Sequence, residues 1–174
     1  THRHVLTQAV ALSGVIAARE LCGVQAQLKW PNDILVGQDK LSGILAQAAP
    51  VDDSGHVPFV VVGIGCNLSW APPGAASLAS CGWTRAVTPD EFLAAMLPEI
   101  DRLLMLDDDA MHQEYLANLA TVGTQVRAEM PNGEHIIGHA LTVEPDGRLV
   151  ILDDCAISHR IDTADVVHLR PASD

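Results

Sequence analysis

The chain has 174 residues, with 22 acidic and 10 basic side chains and a formal net charge of -12. That length holds one ordinary domain, or a medium and a small one, and buries a core without disulfide or metal staples. Apolar residues make up 48% and aromatic residues 3%, which excludes wholesale disorder and leaves neither a basic phosphate-binding surface nor a stacking platform for nucleic acid. The acid excess is uneven: residues 1–30 sum to +2, residues 31–100 to -5 and residues 101–174 to -9. It reads as a solvated surface. Cys22, Cys66, Cys81 and Cys155 are scattered, with no C-x-x-C pair, so they read as reduced thiols of a cytoplasmic protein and not as a zinc site. The apolar run Val5 to Ala18 reads as too short to span a bilayer, and no signal-peptide cleavage site follows it. No membrane and no metal are expected.

In chain order, Val5, Leu6, Val10, Leu12, Val15 and Ile16 recur with helical spacing and predict a helix over residues 4–21, ended by Gly23. Ala26 to Trp30 predicts a strand, Pro31-Asn32-Asp33 a turn, and Ile34 to Val36 a short strand. After a turn at Gly37-Gln38-Asp39, Lys40 to Ala48 predicts a strand interrupted by Gly43. Residues 50–57 are polar loop, and Phe59 to Cys66 predicts a fully buried strand carrying Gly63 and Gly65. Thr88-Pro89-Asp90-Glu91 is a capping box with proline at the first helical position. The helix it opens is expected to kink at Pro98, and another is expected from about Asp109 to Leu119. Beyond Thr121 short β runs alternate with turns at Asn132-Gly133, Asp146-Gly147 and Asp153-Asp154. The fold class predicted is α+β: a mixed, mostly antiparallel sheet packed by helices (residues 1–120), followed by a small SH3-like β-barrel (residues 121–174).

Three local features stand above this background. Lys29-Trp30-Pro31-Asn32-Asp33 turns between strands and gathers polar side chains; on physics alone a purely structural turn is the stronger reading. Lys40-Leu41-Ser42-Gly43-Ile44-Leu45 opens a strand with a lysine and has a glycine at i+3. Gly63 and Gly65, at i and i+2, leave one strand face without side chains, a slot for a flat ligand with Asn67 at its mouth. This is not a dinucleotide fingerprint, which needs glycine where Leu68 stands and a helix after it.

Taken together, in this order and spacing, the three segments closely resemble the biotin protein ligases, whose pattern is K-W-P-N-D, then K-L-x-G-I-L, then G-I-G-x-N. Ala76-Ser77-Leu78, Asp146-Gly147-Arg148-Leu149 and Asp165-Val166-Val167-His168-Leu169-Arg170 extend the resemblance over the chain. It implies formation of biotinyl-5′-adenylate from biotin and ATP, with Mg²⁺ accompanying ATP, and transfer of biotin to a lysine of a biotin carboxyl carrier domain. A homodimer is compatible with it. It further implies that Lys40 contacts the biotin carboxyl and the phosphate and carries the catalysis, and that Gly43, Ile44, Gly63 and Gly65 form the biotin pocket. Asn32, Asp33, Asn67 and Arg170 lie toward the nucleotide. Asp33 either orients Asn32 and Lys40 or assists the metal, and Trp30 packs beneath the site.

Gln47 replaces the usual Glu, and Ala164 the usual Gly, of the pattern. The family's G-R-G-R-x-x-R loop is not among these residues, whose early arginines are Arg3 and Arg19. The expectation is a C-terminal part of a ligase, making little or no adenylate by itself. Alternatives are a lipoate-type ligase and a non-catalytic module that binds a carrier or dimerises. A transcriptional repressor has no support in this acidic chain.

Overall fold

The computed structural model describes residues 3–82, 85–131, 133–162 and 165–168. Elements follow the order α1 (Arg3–Cys22), β1 (Ala26–Lys29), β2 (Asp33–Val36), β3 (Asp39–Ala48), β4 (Val60–Cys66), a 3₁₀ turn (Ala79–Cys81), α2 (Pro89–Leu104), α3 (Asp108–Ala117), β5 (Gln125–Glu129), β6 (His135–Val143), β7 (Leu149–Leu152), β8 (Ser158–Ile161) and β9 (Asp165–His168). The chain divides into two compact units. The first runs to Asp107 without Lys29–Pro31; the second takes Lys29–Pro31 and the residues from Asp108 onward.

In the first unit the strands form a sheet in the order β1-β2-β3-β4. Helix α1 packs against β2, β3, β4 and α2. It approaches the sheet closely because its inner positions are small: a Cβ on Gly14 would stand 2.9 Å from Ile34 Cδ1 and 3.0 Å from Ile64 Cδ1. Leu12, Val15, Ala17 and Ala18 of α1 are fully buried there, each large aliphatic contributing about 1.5–3 kcal/mol by burial. Helix α1 contains a 19-residue apolar stretch, His4–Cys22, long enough to cross a bilayer by length and composition. The shorter run marked from sequence therefore understated it; here its apolar face is spent on the sheet.

The β3–β4 register pairs Gly43 with Gly65, Ile44 with Ile64, Leu45 with Gly63 and Gln47 with Val61. Residues directly opposite share a face. Ile34, Ile44 and Ile64 therefore face α1, and Gly43, Leu45, Gln47, Val61, Gly63 and Gly65 occupy the other side. The expectation of a fully buried β4 is corrected: among the described residues it is an edge strand, no residue of it is fully buried, and Val61 is 59% exposed. Its run of valines resembles a two-sided buried strand, but among the described residues only the α1-facing side has a covering layer.

Helix α2 starts as read from sequence. The Thr88 hydroxyl accepts from the Glu91 backbone N–H, the Glu91 carboxylate accepts from the Thr88 N–H, and Pro89 takes the first helical position. The helix continues through Pro98 to Leu104. It buries Phe92, Met96 and Leu103.

The second unit contains α3 and five antiparallel strands in the order β8-β7-β6-β5-β9. The predicted β runs are present as these five strands, but among the described residues they form an open ladder, with no β8–β9 pairing that would close a barrel. Val126, Ala128, Ala140, Leu149, Ile151 and Ile161 make its core. Gly138 lets β7 pass close: a Cβ there would stand 2.8 Å from Ile151 Cγ2 and closer still to the Leu152 carbonyl oxygen. Gly147 turns with φ +90, a conformation glycine adopts freely. Ala164 and the Asn132 half of the Asn132-Gly133 turn lie outside the described residues.

Candidate functional site

The site grows from one row across the first sheet. Asp33 on β2 pairs with Gly43 on β3, which pairs with Gly65 on β4. The two glycines leave the sheet bare on the side away from α1, with Gly63 one step further along β4. A Cβ on Gly65 would find nothing nearer than the Gly43 carbonyl oxygen at 4.0 Å, and one on Gly63 nothing nearer than the Leu45 carbonyl oxygen at 3.9 Å. The space above them is open. Leu45, 66% exposed, and Val61 border it.

Lys40 reaches this face through an irregularity. Strict alternation would put residues 40, 42 and 44 on one side of β3. The register slips between Ile34–Ser42 and Leu35–Lys40, leaving Leu41 as an extra residue. Such a bulge reverses the alternation, so Ser42 and Ile44 stay on the α1 side while Lys40 joins Gly43. Its Nζ lies 3.3 Å from where a Gly43 Cβ would be and 2.5 Å from Asp33 Oδ1. The Lys40 side chain is 53% exposed, Asp33 only 17%. A half-exposed ammonium with three donors keeps Asp33 and still presents hydrogens to an incoming anion.

Two asparagines hold the frame. The Ile44 N–H donates to the Asn32 carbonyl at 2.8 Å, and Asn32 Nδ2 donates to the Ile44 carbonyl at 2.8 Å. This doubled link locks the turn before β2 onto β3. Asn67 donates from its backbone to the Leu41 carbonyl at 2.9 Å, and from Nδ2 to the carbonyls of Ala76 at 3.0 Å and Lys40 at 3.4 Å. Ala76 N–H in turn donates to the Lys40 carbonyl at 3.0 Å. Asn67 thus ties the Ala76-Ser77-Leu78 segment to the base of Lys40.

The structure therefore brings Lys40, Asp33, Gly43, Gly63 and Gly65 onto one face, with Asn32 and Asn67 as backbone ties around it. Ile44 is different: its side chain, 2% exposed, is core on the α1 side, so it meets the site through its backbone alone. Arg170 lies outside the described residues. Trp30 is buried and belongs to the second unit, its N–H donating to Thr121 Oγ1 at 3.0 Å and its indole N–H to the Gly147 carbonyl at 2.9 Å. The bulge at Leu41 and the tie between Lys40 and Ala76 escaped sequence reasoning, since both are relations between segments. Ser42 Oγ is buried with no hydrogen-bond partner. The described residues contain no cluster of three or more metal-ligating side chains.

Residues 2–67, which carry every element of this site except the Ala76 tie, match the family model of the biotin/lipoate A/B protein ligase family. That match spans 66 of the chain's 174 residues. It is 37% identical over 150 residues to the biotin--[acetyl-CoA-carboxylase] ligase of Mycobacterium tuberculosis, covering 82% of this chain and 53% of that protein. It is 28% identical over 170 residues to the bifunctional ligase/repressor BirA of Bacillus subtilis, covering 84% of this chain and 47% of that protein. The chain spans about half the length of these curated relatives. Among solved structures, the biotin protein ligase of Aquifex aeolicus superposes with a TM-score of 0.79 at 21% identity, over 95% of this chain and 76% of that one. The same enzyme in complex with biotin and ATP gives 0.74 at 20% identity, over 97% of this chain and 72% of that one. At such identity these structures establish the fold.

Proposed function

We propose that this chain carries the ligand site of a biotin protein ligase, with residues 1–120 as catalytic part and residues 121–174 as C-terminal domain. The observation that carries the reading is the lysine laid over a bare glycine row on an open sheet face. A flat ureido-thiophane ring needs such a slot, and its carboxylate needs a cation at one end of it. Lys40 stands at that end.

In the reaction, a biotin carboxylate oxygen attacks the α-phosphorus of ATP. The bond to the β-phosphate breaks and pyrophosphate leaves. The ε-amine of a carrier lysine then attacks the acyl carbon, forming an amide and releasing AMP and a proton. Lys40 offsets the negative charge that gathers between carboxylate and phosphorus. Asp33 holds the ammonium over Gly43, which fixes the approach geometry. Gly43, Gly63 and Gly65 take the ring, and Ile44 supports the pocket through its backbone. Asn32, Asn67 and Arg170 are assigned to the nucleotide side. Both amide hydrogens of Asn67 serve carbonyls, so its free group is the carboxamide oxygen, suited to Mg²⁺ carried in with ATP. The acceptor is a biotin carboxyl carrier domain, the location cytoplasmic, and a homodimer is compatible.

Calorimetry tests the reading. Biotin should bind the chain and lipoate should not, and Lys40→Ala should weaken biotin binding by tenfold or more, about 1.4 kcal/mol, with melting temperature retained. Lipoate binding in place of biotin would assign a lipoate-type ligase. Carrier binding with neither acid bound would assign a non-catalytic module.

A further inference from the structure

Lys40 owes its place on the ligand face to one extra residue in β3. Leu35 pairs with Lys40 and Ile34 with Ser42, so Leu41 stands between two paired positions without a partner on β2. A bulge of this kind disrupts the ladder and re-aims a side chain. It holds its shape where the backbone groups around it find partners elsewhere. Those partners lie on the β4 side of β3, and Asn67 is at their centre.

The Asn67 backbone N–H donates to the Leu41 carbonyl at 2.9 Å, one step past the last β3–β4 pair, Ser42 with Cys66. Asn67 Nδ2 donates to the Ala76 carbonyl at 3.0 Å and to the Lys40 carbonyl at 3.4 Å. The Ala76 N–H donates to that same Lys40 carbonyl at 3.0 Å, and Lys40 forms a parallel bridge with Ala75. Asn67 is itself held, because its carbonyl accepts from the Leu78 N–H at 3.0 Å. The two carbonyls that flank the start of the bulge, on Lys40 and Leu41, are thus both tied to Asn67, directly or through Ala76. A carboxamide suits this task, since its nitrogen carries two hydrogens and can serve two carbonyls at once. An aliphatic side chain of similar size offers neither hydrogen. All of these residues lie in the first compact unit.

We propose that Asn67 is a positioning residue for Lys40. It pins the Leu41 bulge and thereby keeps Lys40 on the side of Gly43 and Gly65. This role uses the backbone and the amide nitrogen of Asn67 and leaves its carboxamide oxygen for the nucleotide side. That the positioned lysine meets biotin rests on the reading of the Lys40–Gly43–Gly65 face as the ligand site; the pinning of the bulge does not.

The test uses the whole chain. Asn67→Leu keeps the approximate size of the side chain and the backbone N–H, and removes the amide donors. Amide hydrogen exchange reads the bulge at Ala76, whose N–H donates to the Lys40 carbonyl. Leu12, buried in α1, serves as the reference. In Asn67→Leu, Ala76 exchange should rise about fivefold, the effect of losing one net hydrogen bond, with Leu12 unchanged. Biotin affinity, measured by calorimetry without nucleotide, should fall several-fold. A residue that acts on the nucleotide alone would leave that affinity at its wild-type value. A merely structural residue would raise exchange at Ala76 and Leu12 together. Either result would overturn the inference, as would unchanged Ala76 exchange. If Asn67→Leu does not fold, Asn67→Ala decides on the same readouts. Failure of wild-type protein to bind biotin would overturn the functional reading and leave the exchange result to decide whether Asn67 pins the bulge.

Discussion

Gly65→Val separates the ligand slot from the fold. Gly65 sits on an edge strand in a backbone conformation open to any L residue, and a Cβ there finds its nearest neighbour at 4.0 Å. A Cβ there displaces no atom. Glycine inside a strand costs roughly 0.5–1 kcal/mol relative to alanine, and valine is among the residues best suited to a pleated surface. The variant should therefore melt at or above the wild-type temperature, by up to about 4 °C. Its two methyl groups, however, fill the layer about 3.5–4 Å above the sheet in which ring atoms would make contact. Biotin affinity should fall at least tenfold, about 1.4 kcal/mol. Differential scanning fluorimetry and isothermal titration calorimetry on the same preparation measure both. Unchanged affinity with unchanged or raised melting temperature would refute the assignment of the glycine row as ring slot. A fall in melting temperature would refute the claim that the face above Gly65 is open.

Four further outcomes follow from the packing and the titrations. Thr88→Ala should cost about 1 kcal/mol in urea unfolding by removing the cap of α2. The Glu91 carboxylate is held down to about 2 by the Thr88 backbone N–H, with Arg85 and the Thr88 hydroxyl also lowering it; its contribution is complete above pH 4.5 and lost as pH falls toward 2, so Glu91→Gln should flatten the stability profile across that window, and an unaltered slope would contradict the box. Gly138→Ala drives a methyl into the Leu152 carbonyl and Ile151; it should destabilise the second unit by about 1–3 kcal/mol, and a wild-type melt would contradict the close strand crossing. Burial pushes the Cys66 thiol up to about 12, whereas Cys155 is exposed; alkylation at pH 8, mapped by mass spectrometry, should therefore modify Cys155 well before Cys66, and equal rates would refute the buried setting.

What the sequence determined by itself is what depends on neighbours along the chain. Helical spacing marked α1, and the capping box marked the first turn of α2. Turn residues marked the breaks between the β runs. The three motifs pointed to the candidate site residues through family resemblance. The bare face of Gly63 and Gly65 was legible too, because side chains alternate strictly along a strand.

Everything that depends on pairing was decided only by tertiary structure. Lys40 lies over Gly43 because Leu41 bulges, and a bulge is visible only once β2 and β3 are in register. Among the described residues β4 is an edge strand covered on its α1 side alone, which leaves its valines partly exposed. Trp30 finds its partners at Thr121 and Gly147, about a hundred residues on. A local pattern fixes which way a residue faces relative to its neighbours. Which strand lies beside it, and what closes over it, is set by contacts between distant segments, and those are made only when the chain folds.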